Sequence, residues 1–151
     1  MFLYINSLSI NMFYKGSGVV HRDTIVKIIL TILDKINIPN KIKAFMIRSM
    51  HMQAPINGIA LIILSKFRIG ICIYAMFACV FILFFYFNGC FLTIIEYKLD
   101  KENFINIADP YLHVTNSELT DENRYYSIIY IGILYMIVCS WILLYKYKYH
   151  Y

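Results

Sequence analysis

Cysteine and histidine are the residue types of this chain that most readily do chemistry, so their spacing decides which reactions are open to it. No two cysteines form a Cys-x-x-Cys pair, and no two histidines stand at metal-ligand spacing. All four cysteines fall inside two long apolar segments, where a free thiol packs as a small apolar side chain. For Cys90, near one end of its segment, lipid attachment is the alternative. The cysteines are Cys72, Cys79, Cys90 and Cys139, and the histidines are His21, His51, His113 and His150.

Two short patterns imitate known catalytic or phosphate-binding motifs. His21-Arg22-Asp23 has the order of the catalytic-loop triplet of protein kinases, but neither a glycine-rich phosphate loop nor an Asp-Phe-Gly motif accompanies it. The turn at Gly16-Ser17-Gly18 is a weak signal for a phosphate cradle. We therefore predict no catalytic residue, no metal site and no cofactor, and we expect that the chain alone is not an enzyme.

Two apolar segments without any charged residue dominate the chain. Each exceeds the roughly 20 residues that an α-helix needs to cross about 30 Å of hydrocarbon. Helices in water keep a polar face, and these segments have none. The predicted fold class is therefore an all-α membrane protein, a two-span transmembrane helical hairpin with N-terminal amphipathic helices. The predicted spans are residues 69–95 and 125–145.

Charge changes sign between the regions that flank these spans. Residues 1–68 hold nine Lys or Arg against two acids, whereas residues 96–124 hold seven acids against three basic residues. Because Lys and Arg accumulate on the cytosolic or matrix side, the pattern predicts both termini there and the acidic loop in the lumen or intermembrane space. The predicted regions are a basic amphipathic region (1–68), transmembrane helix 1 (69–95), an acidic loop (96–124), transmembrane helix 2 (125–145) and a basic aromatic tail (146–151).

The first part of the basic region predicts one amphipathic helix, over Asp23–Ile36. Asp23 or Thr24 is expected to cap its start by accepting backbone N–H bonds. Isoleucines recur along one face, and lysines lie on the other. At about 14 residues the helix is too short to span, so it lies on the bilayer surface or packs on a partner.

A second basic segment, Lys41–Met52, has two readings that the sequence leaves open. It either lies on anionic lipid headgroups or packs on the first helix. Pro55 and Asn57-Gly58 predict a turn after it, and Ile59–Leu64 is expected to dock on the hairpin. Without a base-stacking module, lipid headgroups account for the basic charge better than nucleic acid does.

The acidic loop and the start of the second span carry a pattern of single residues. Asp109-Pro-Tyr-Leu-His113 is followed by a short polar run, and Arg124-Tyr-Tyr126 enters the span. This pattern resembles the PIG-P family, small two-span subunits of the endoplasmic reticulum enzyme that starts GPI-anchor synthesis. The regulatory small subunit of dolichol-phosphate mannose synthase has a similar hairpin. The matching positions are Gly70, Pro110, Leu112, His113, Arg124, Tyr125 and Tyr126, the last standing where the family has Trp.

The resemblance implies a non-catalytic scaffold that stabilises a glycosyltransferase in the endoplasmic reticulum membrane. The alternative is an accessory subunit of a mitochondrial inner-membrane respiratory or ATP synthase complex. Both predict other membrane subunits of a hetero-oligomeric complex, and the bilayer, as partners. Arg124, Tyr125 and Tyr126 also have an explanation that does not depend on the resemblance. An Arg side chain at the membrane boundary can reach lipid phosphate, and Tyr rings favour the membrane–water interface. A standalone channel or enzyme is disfavoured because the spans hold no Asp, Glu, Lys, Arg or His.

Overall fold

Six α-helices make up the computed structural model, which describes residues 17–149. No strand occurs within that range, which confirms the all-α fold class. Two of the helices, α3 and α6, are long and apolar enough to cross a membrane, in agreement with a two-span protein. The helices are α1 (Ser17–Asp34), α2 (Asn40–Leu64), α3 (Phe67–Tyr86), α4 (Phe91–Leu99), α5 (Asp109–Val114) and α6 (Asp121–Lys148).

The first predicted span, residues 69–95, is divided between two helices. α3 ends at Tyr86, and Asn88 and Gly89 then adopt positive φ angles of 50° and 127°. Asn and Gly adopt such angles more readily than other residues, and they commonly end a helix. The backbone N–H of Gly89 donates to the carbonyl oxygen of Phe84 at 2.9 Å, which closes the last turn. The chain resumes as α4, so residues 69–95 do not form one continuous helix.

The helix that contains the second predicted span, α6, continues beyond residues 125 and 145 at both ends. The Thr120 hydroxyl caps α6 by accepting a hydrogen bond from the backbone N–H of Asn123 at 3.1 Å. Acidic residues occupy the first turn and lysines the last, the arrangement that a helix dipole favours. Capping and charge thus extend the helix past the apolar segment.

α2 is a continuous helix of 25 residues, although the sequence predicts a turn at Pro55 and Asn57-Gly58. Pro55 has no N–H to donate, but its carbonyl accepts a hydrogen bond from the Tyr135 hydroxyl of α6 at 3.1 Å. Gly58 faces Phe77 of α3 so closely that a Cβ there would overlap the ring. Packing against α3 and α6 therefore keeps α2 helical where local turn chemistry predicts a break.

α2 extends along the hairpin that α3 and α6 form. Near its C-terminal end, Ile62 is fully buried in a cluster with Cys139 and Leu143 of α6. This agrees with the expected docking of Ile59–Leu64. Toward its N-terminal end, Arg48 forms an ion pair with Glu96 of α4. We call the end that contains residues 87–120 the loop end, and the end that contains residues 65–68 and 146–149 the tail end.

α1 packs at the loop end. His21 Nδ1 lies 2.7 Å from the Tyr86 hydroxyl oxygen, and Arg22 donates to the carbonyl oxygens of Phe87 and Asn88, both at 3.2 Å. These contacts join α1 to the break between α3 and α4. The described part of the basic region therefore starts at the loop end and finishes at the tail end.

The start of α1 also differs from the prediction. α1 already includes Ser17, the first residue that the structure describes, so Asp23 and Thr24 lie inside the helix rather than at its cap. The Thr24 hydroxyl instead donates to the carbonyl oxygen of Val20 at 2.9 Å, within the helix. Gly18 approaches the Tyr86 carbonyl so closely that a Cβ would collide with it. The glycine that suggests a turn in the sequence serves this close approach in the structure.

Candidate functional site

Polar side chains from α2 and from the segment after α3 meet at the loop end. We call Arg48, His51, Cys90, Glu96 and Asn103 the loop-end cluster. Arg48 Nε donates to Glu96 Oε1 at 2.6 Å, and Arg48 Nη2 donates to the Asn103 carbonyl oxygen at 2.7 Å. The Glu96 side chain is only 4% exposed, so its charge depends on the guanidinium for compensation. The ion pair therefore fixes α4 against α2.

A cysteine and a histidine form the second contact of this cluster. Cys90 Sγ lies 3.5 Å from His51 Nε2, and Cys90 is the residue that immediately precedes α4. Burial on its own raises the pKa of the Cys90 thiol. The hydrogen bond and charge of His51, with the backbone N–H groups of Leu92 and Thr93, outweigh burial and lower that pKa below its ordinary value. The pair thus has the chemistry of an activated thiol beside a base.

The sequence does not reveal this contact, because 39 residues separate its two members. The apolar environment of Cys90 predicts a packing role, whereas the structure places its sulfur against an imidazole. No local spacing could have signalled the pair. Within residues 17–149, no three His, Cys, Asp or Glu side chains converge on a position that could hold a metal ion.

A second ion pair at the loop end joins α5 to α6. Arg124 Nε donates to Asp109 Oδ1 at 2.7 Å, and Arg124 Nη2 donates to Asp109 Oδ2 at 3.2 Å. Asp109 Oδ2 also accepts the backbone N–H of Asn106 at 2.8 Å. This two-pronged geometry is the strong form of a guanidinium–carboxylate contact. The guanidinium that the sequence assigns to lipid phosphate is therefore engaged within the protein.

The residues that resemble the PIG-P pattern are divided between the two ends. Pro110 lies in the first turn of α5, Leu112 is buried, and His113 is exposed. Tyr125 stacks on Phe84 of α3, with ring centroids 5.2 Å apart and planes 17° from parallel.

The two remaining positions of the pattern have contrasting environments. Tyr126 follows Arg124 at the loop end and is exposed. Gly70 lies at the tail end, where a Cβ would come within 3.0 Å of the Leu143 side chain. The structure thus brings the Pro110 to Tyr126 part of the pattern together and separates Gly70 from it.

A buried lysine at the tail end connects α6 to α2. Lys146 Nζ donates to the carbonyl oxygens of Ile62 and Ile63, both at 2.8 Å, and to that of Ser65. The last carbonyl groups of a helix have no partner inside the helix and carry partial negative charge. The ammonium group satisfies them and lies at the favourable end of the α2 dipole. In the sequence, this lysine is visible only as one of the positive charges beside a span.

Comparison with known proteins gives no match: no protein-family model, no curated protein and no solved structure is similar to this chain.

Proposed function

We propose that this protein is a non-catalytic integral membrane subunit of a multi-protein membrane complex. The observation that carries the proposal is the exposure of the apolar surface of α3 and α6. In the most apolar 18 residues of each helix, only 11% of α3 and 17% of α6 is buried within the chain. A core helix of a water-soluble domain buries most of such a surface. Hydrocarbon and partner helices are the surroundings in which this surface is stable.

The charged side chains at the two ends support a structural role rather than a catalytic one. Arg48 with Glu96, and Arg124 with Asp109, join helices at the loop end. Lys146 joins helices at the tail end. Each of these groups is engaged by another group of the same chain. Their combined effect is a fixed arrangement of helices that presents an apolar outer surface.

We further propose an orientation for this unit. The tail end, as defined above, carries Lys66, Arg68, Lys146 and Lys148 and no acidic residue within the part of the chain that the structure describes. The loop end carries both signs, including the acids of residues 96–124. These four basic residues directly flank the apolar parts of α3 and α6, where Lys and Arg weigh most, and on that ground we propose that the tail end lies on the cytosolic or matrix side. Since α1 packs at the loop end, we propose that residues 17–34 lie with the loop on the opposite side, which requires the 25 residues of α2 to cross the bilayer beside α3 and α6.

The complex that we propose is the endoplasmic reticulum glycosyltransferase that starts GPI-anchor synthesis. The support is the resemblance of residues 110–126 to the PIG-P pattern. The Asp109–Arg124 ion pair brings these residues together at the loop end. In this role the chain stabilises the catalytic subunit and does not itself contact substrate. The alternative remains a mitochondrial inner-membrane complex.

Localisation and native purification test this proposal together. We expect a tagged chain to stay in the membrane pellet after carbonate extraction and to co-purify with other membrane subunits in mild detergent. For the proposed complex, the signal lies in the endoplasmic reticulum and depletion lowers GPI precursor synthesis. A mitochondrial signal with co-purified respiratory subunits would favour the alternative. Release into the carbonate supernatant would contradict both.

A further inference from the structure

The middle of α2 lies at the same level as the middles of α3 and α6, although α2 is not one of the two apolar candidate spans. Gly58 faces Phe77 and Tyr135, which lie near the middle of α3 (Phe67–Tyr86) and α6 (Asp121–Lys148) respectively. The hydrogen bond from the Tyr135 hydroxyl to the Pro55 carbonyl fixes the same depth. If α3 and α6 cross the bilayer as proposed, residues 53–58 are at the level of the hydrocarbon centre.

The side of α2 that faces away from α3 and α6 carries a regular seam. Six side chains follow one another at alternating steps of four and three residues, and all six are exposed. This is the spacing with which one helix interlocks with another in a coiled coil. We call these residues the α2 seam: Met46, Met50, Gln53, Asn57, Ala60 and Leu64.

Two adjacent positions of the seam are amides, which hydrocarbon does not tolerate. Gln53 and Asn57 are one helical turn apart and exposed, next to the residues that fix the depth of the bilayer centre. A polar group without a hydrogen-bond partner is costly in lipid. Amide side chains in membrane helices accordingly face other helices, where they hydrogen-bond across the interface. Lipid is therefore not the neighbour that this face fits.

We propose that the α2 seam is the interface with a second copy of this chain. The two α2 helices pack in parallel around a two-fold axis along the membrane normal. This inference rests on the membrane location in the proposed function. Its basis is that an amide both donates and accepts a hydrogen bond, so identical amides at the same depth pair with each other. Two copies with the same orientation bring Asn57 to Asn57 and Gln53 to Gln53.

The rest of the seam fits such a pair. Met50 and Leu64, which are 73% and 84% exposed, flank the amides with flexible apolar surface. Ala60 is small enough for the two backbones to come close. Polar positions within an apolar seam also set the register and the number of helices, which suits a defined dimer. The dimer places the other faces of α3 and α6 outward, free for different subunits.

Cysteine cross-linking in native membranes tests the proposal with the full chain. We expect Asn57→Cys to give a disulfide-linked dimer on mild oxidation, because the two side chains meet at the axis. The matched control is Ile56→Cys, one residue away at the same depth, since Ile56 is 70% exposed but lies off the seam. The unmodified chain gives the background of its own cysteines, of which Cys72 and Cys79 are exposed.

The amides themselves are tested by co-purification of two differently tagged copies. Replacing both Gln53 and Asn57 by Leu should lower recovery of the second tag about tenfold, the effect of losing roughly 1.4 kcal/mol of interhelical hydrogen bonding. Replacement by Leu keeps the volume and helix propensity similar, so the chain should still resist carbonate extraction.

Three results would overturn the proposal while leaving the proposed function intact. These are equal cross-linking at residues 56 and 57, cross-linking of Asn57→Cys only to a different protein, and unchanged recovery of the second tag in the Leu variant. Release of the unmodified chain by carbonate would instead remove the proposed function.

Discussion

The ammonium group of Lys146 donates a hydrogen bond to the carbonyl oxygen of Ile62 across 2.8 Å, joining the last turn of α6 to the last turn of α2. The lysine is only 7% exposed, so its charge is compensated by protein carbonyl groups rather than by solvent. Because these two turns lie beside the start of α3, one side chain aligns all three long helices at the tail end.

Replacing Lys146 by Met tests this contact. The carbonyl groups of Ile62, Ile63 and Ser65 lose their donor, and we expect the free energy of unfolding in mixed micelles to fall by about 1–3 kcal/mol. Lys148→Met is the matched control, since Lys148 is exposed on the same helix and should change stability by less than about 0.5 kcal/mol. Equal effects of the two substitutions would show that the buried contact is not important.

Replacing Arg48 by Met removes the partner of a buried carboxylate. Glu96 then keeps its burial without compensation, and we expect a loss of roughly 3 kcal/mol in the free energy of unfolding. The additional change Glu96→Gln should restore part of this loss, because it removes the uncompensated charge. If Arg48→Met and the double variant were equally destabilised, the ion pair would not be the cause. Lys41→Met, an exposed position of the same helix, controls for the general loss of a positive charge.

The pair of Arg124 with Asp109 is testable by a double-mutant cycle. We expect Arg124→Gln and Asp109→Asn to show a coupling of about 1–3 kcal/mol, since the contact has two hydrogen bonds and a largely buried carboxylate. The same cycle with Asp121→Asn is the control, because that carboxylate is 74% exposed and lies 3.4 Å away. Its coupling should be about 0.5 kcal/mol or less. If the coupling to Asp109 were as weak as that to Asp121, Asp109 would not be the main partner of Arg124, and lipid phosphate would be favoured instead.

Cys90 should react with a small maleimide at lower pH than an ordinary thiol. The reactive species is the thiolate, and the lowered pKa of Cys90 increases its thiolate fraction near neutral pH. Replacing His51 by Ala removes the hydrogen bond and the charge but leaves much of the burial, so the pH midpoint of the reaction should rise. Peptide mass spectrometry measures modification of Cys90 separately from the other cysteines. An unchanged midpoint in His51→Ala, with exposed His113→Ala as control, would contradict the role of His51.

The two spans could be predicted from the sequence, because hydrocarbon is the one environment in which a long uncharged apolar helix is stable. The end of α3 was harder to predict, since Asn88 and Gly89 end the helix inside a segment that stays apolar up to Ile95. The continuity of α2 was harder still to predict. Its Pro55 and Asn57-Gly58 favour a turn locally, and the contacts that override it come from Phe77 and Tyr135, which are far away in the chain.

The loop-end cluster shows the same limit for the candidate site. Arg48, His51, Cys90 and Glu96 are unremarkable in the sequence, because each is separated from its partner by a complete helix. Only the antiparallel packing of α2 against α3 brings them together. The sequence singles out Asp109 and Arg124, since both lie in the segment that resembles PIG-P, but it does not predict the ion pair between them.

In our proposal α2, α3 and α6 cross a bilayer, with α1 and the loop on one side and the tail on the other. New cysteines at exposed Lys27, Ser117 and Lys148, each placed in a Cys90→Ser chain and tested one at a time with a membrane-impermeant maleimide in sealed vesicles of known orientation, address it most directly. We predict that residues 27 and 117 are labelled from the same face and residue 148 only from the opposite face. Labelling of all three from one face, or of residue 27 together with residue 148, would contradict the account.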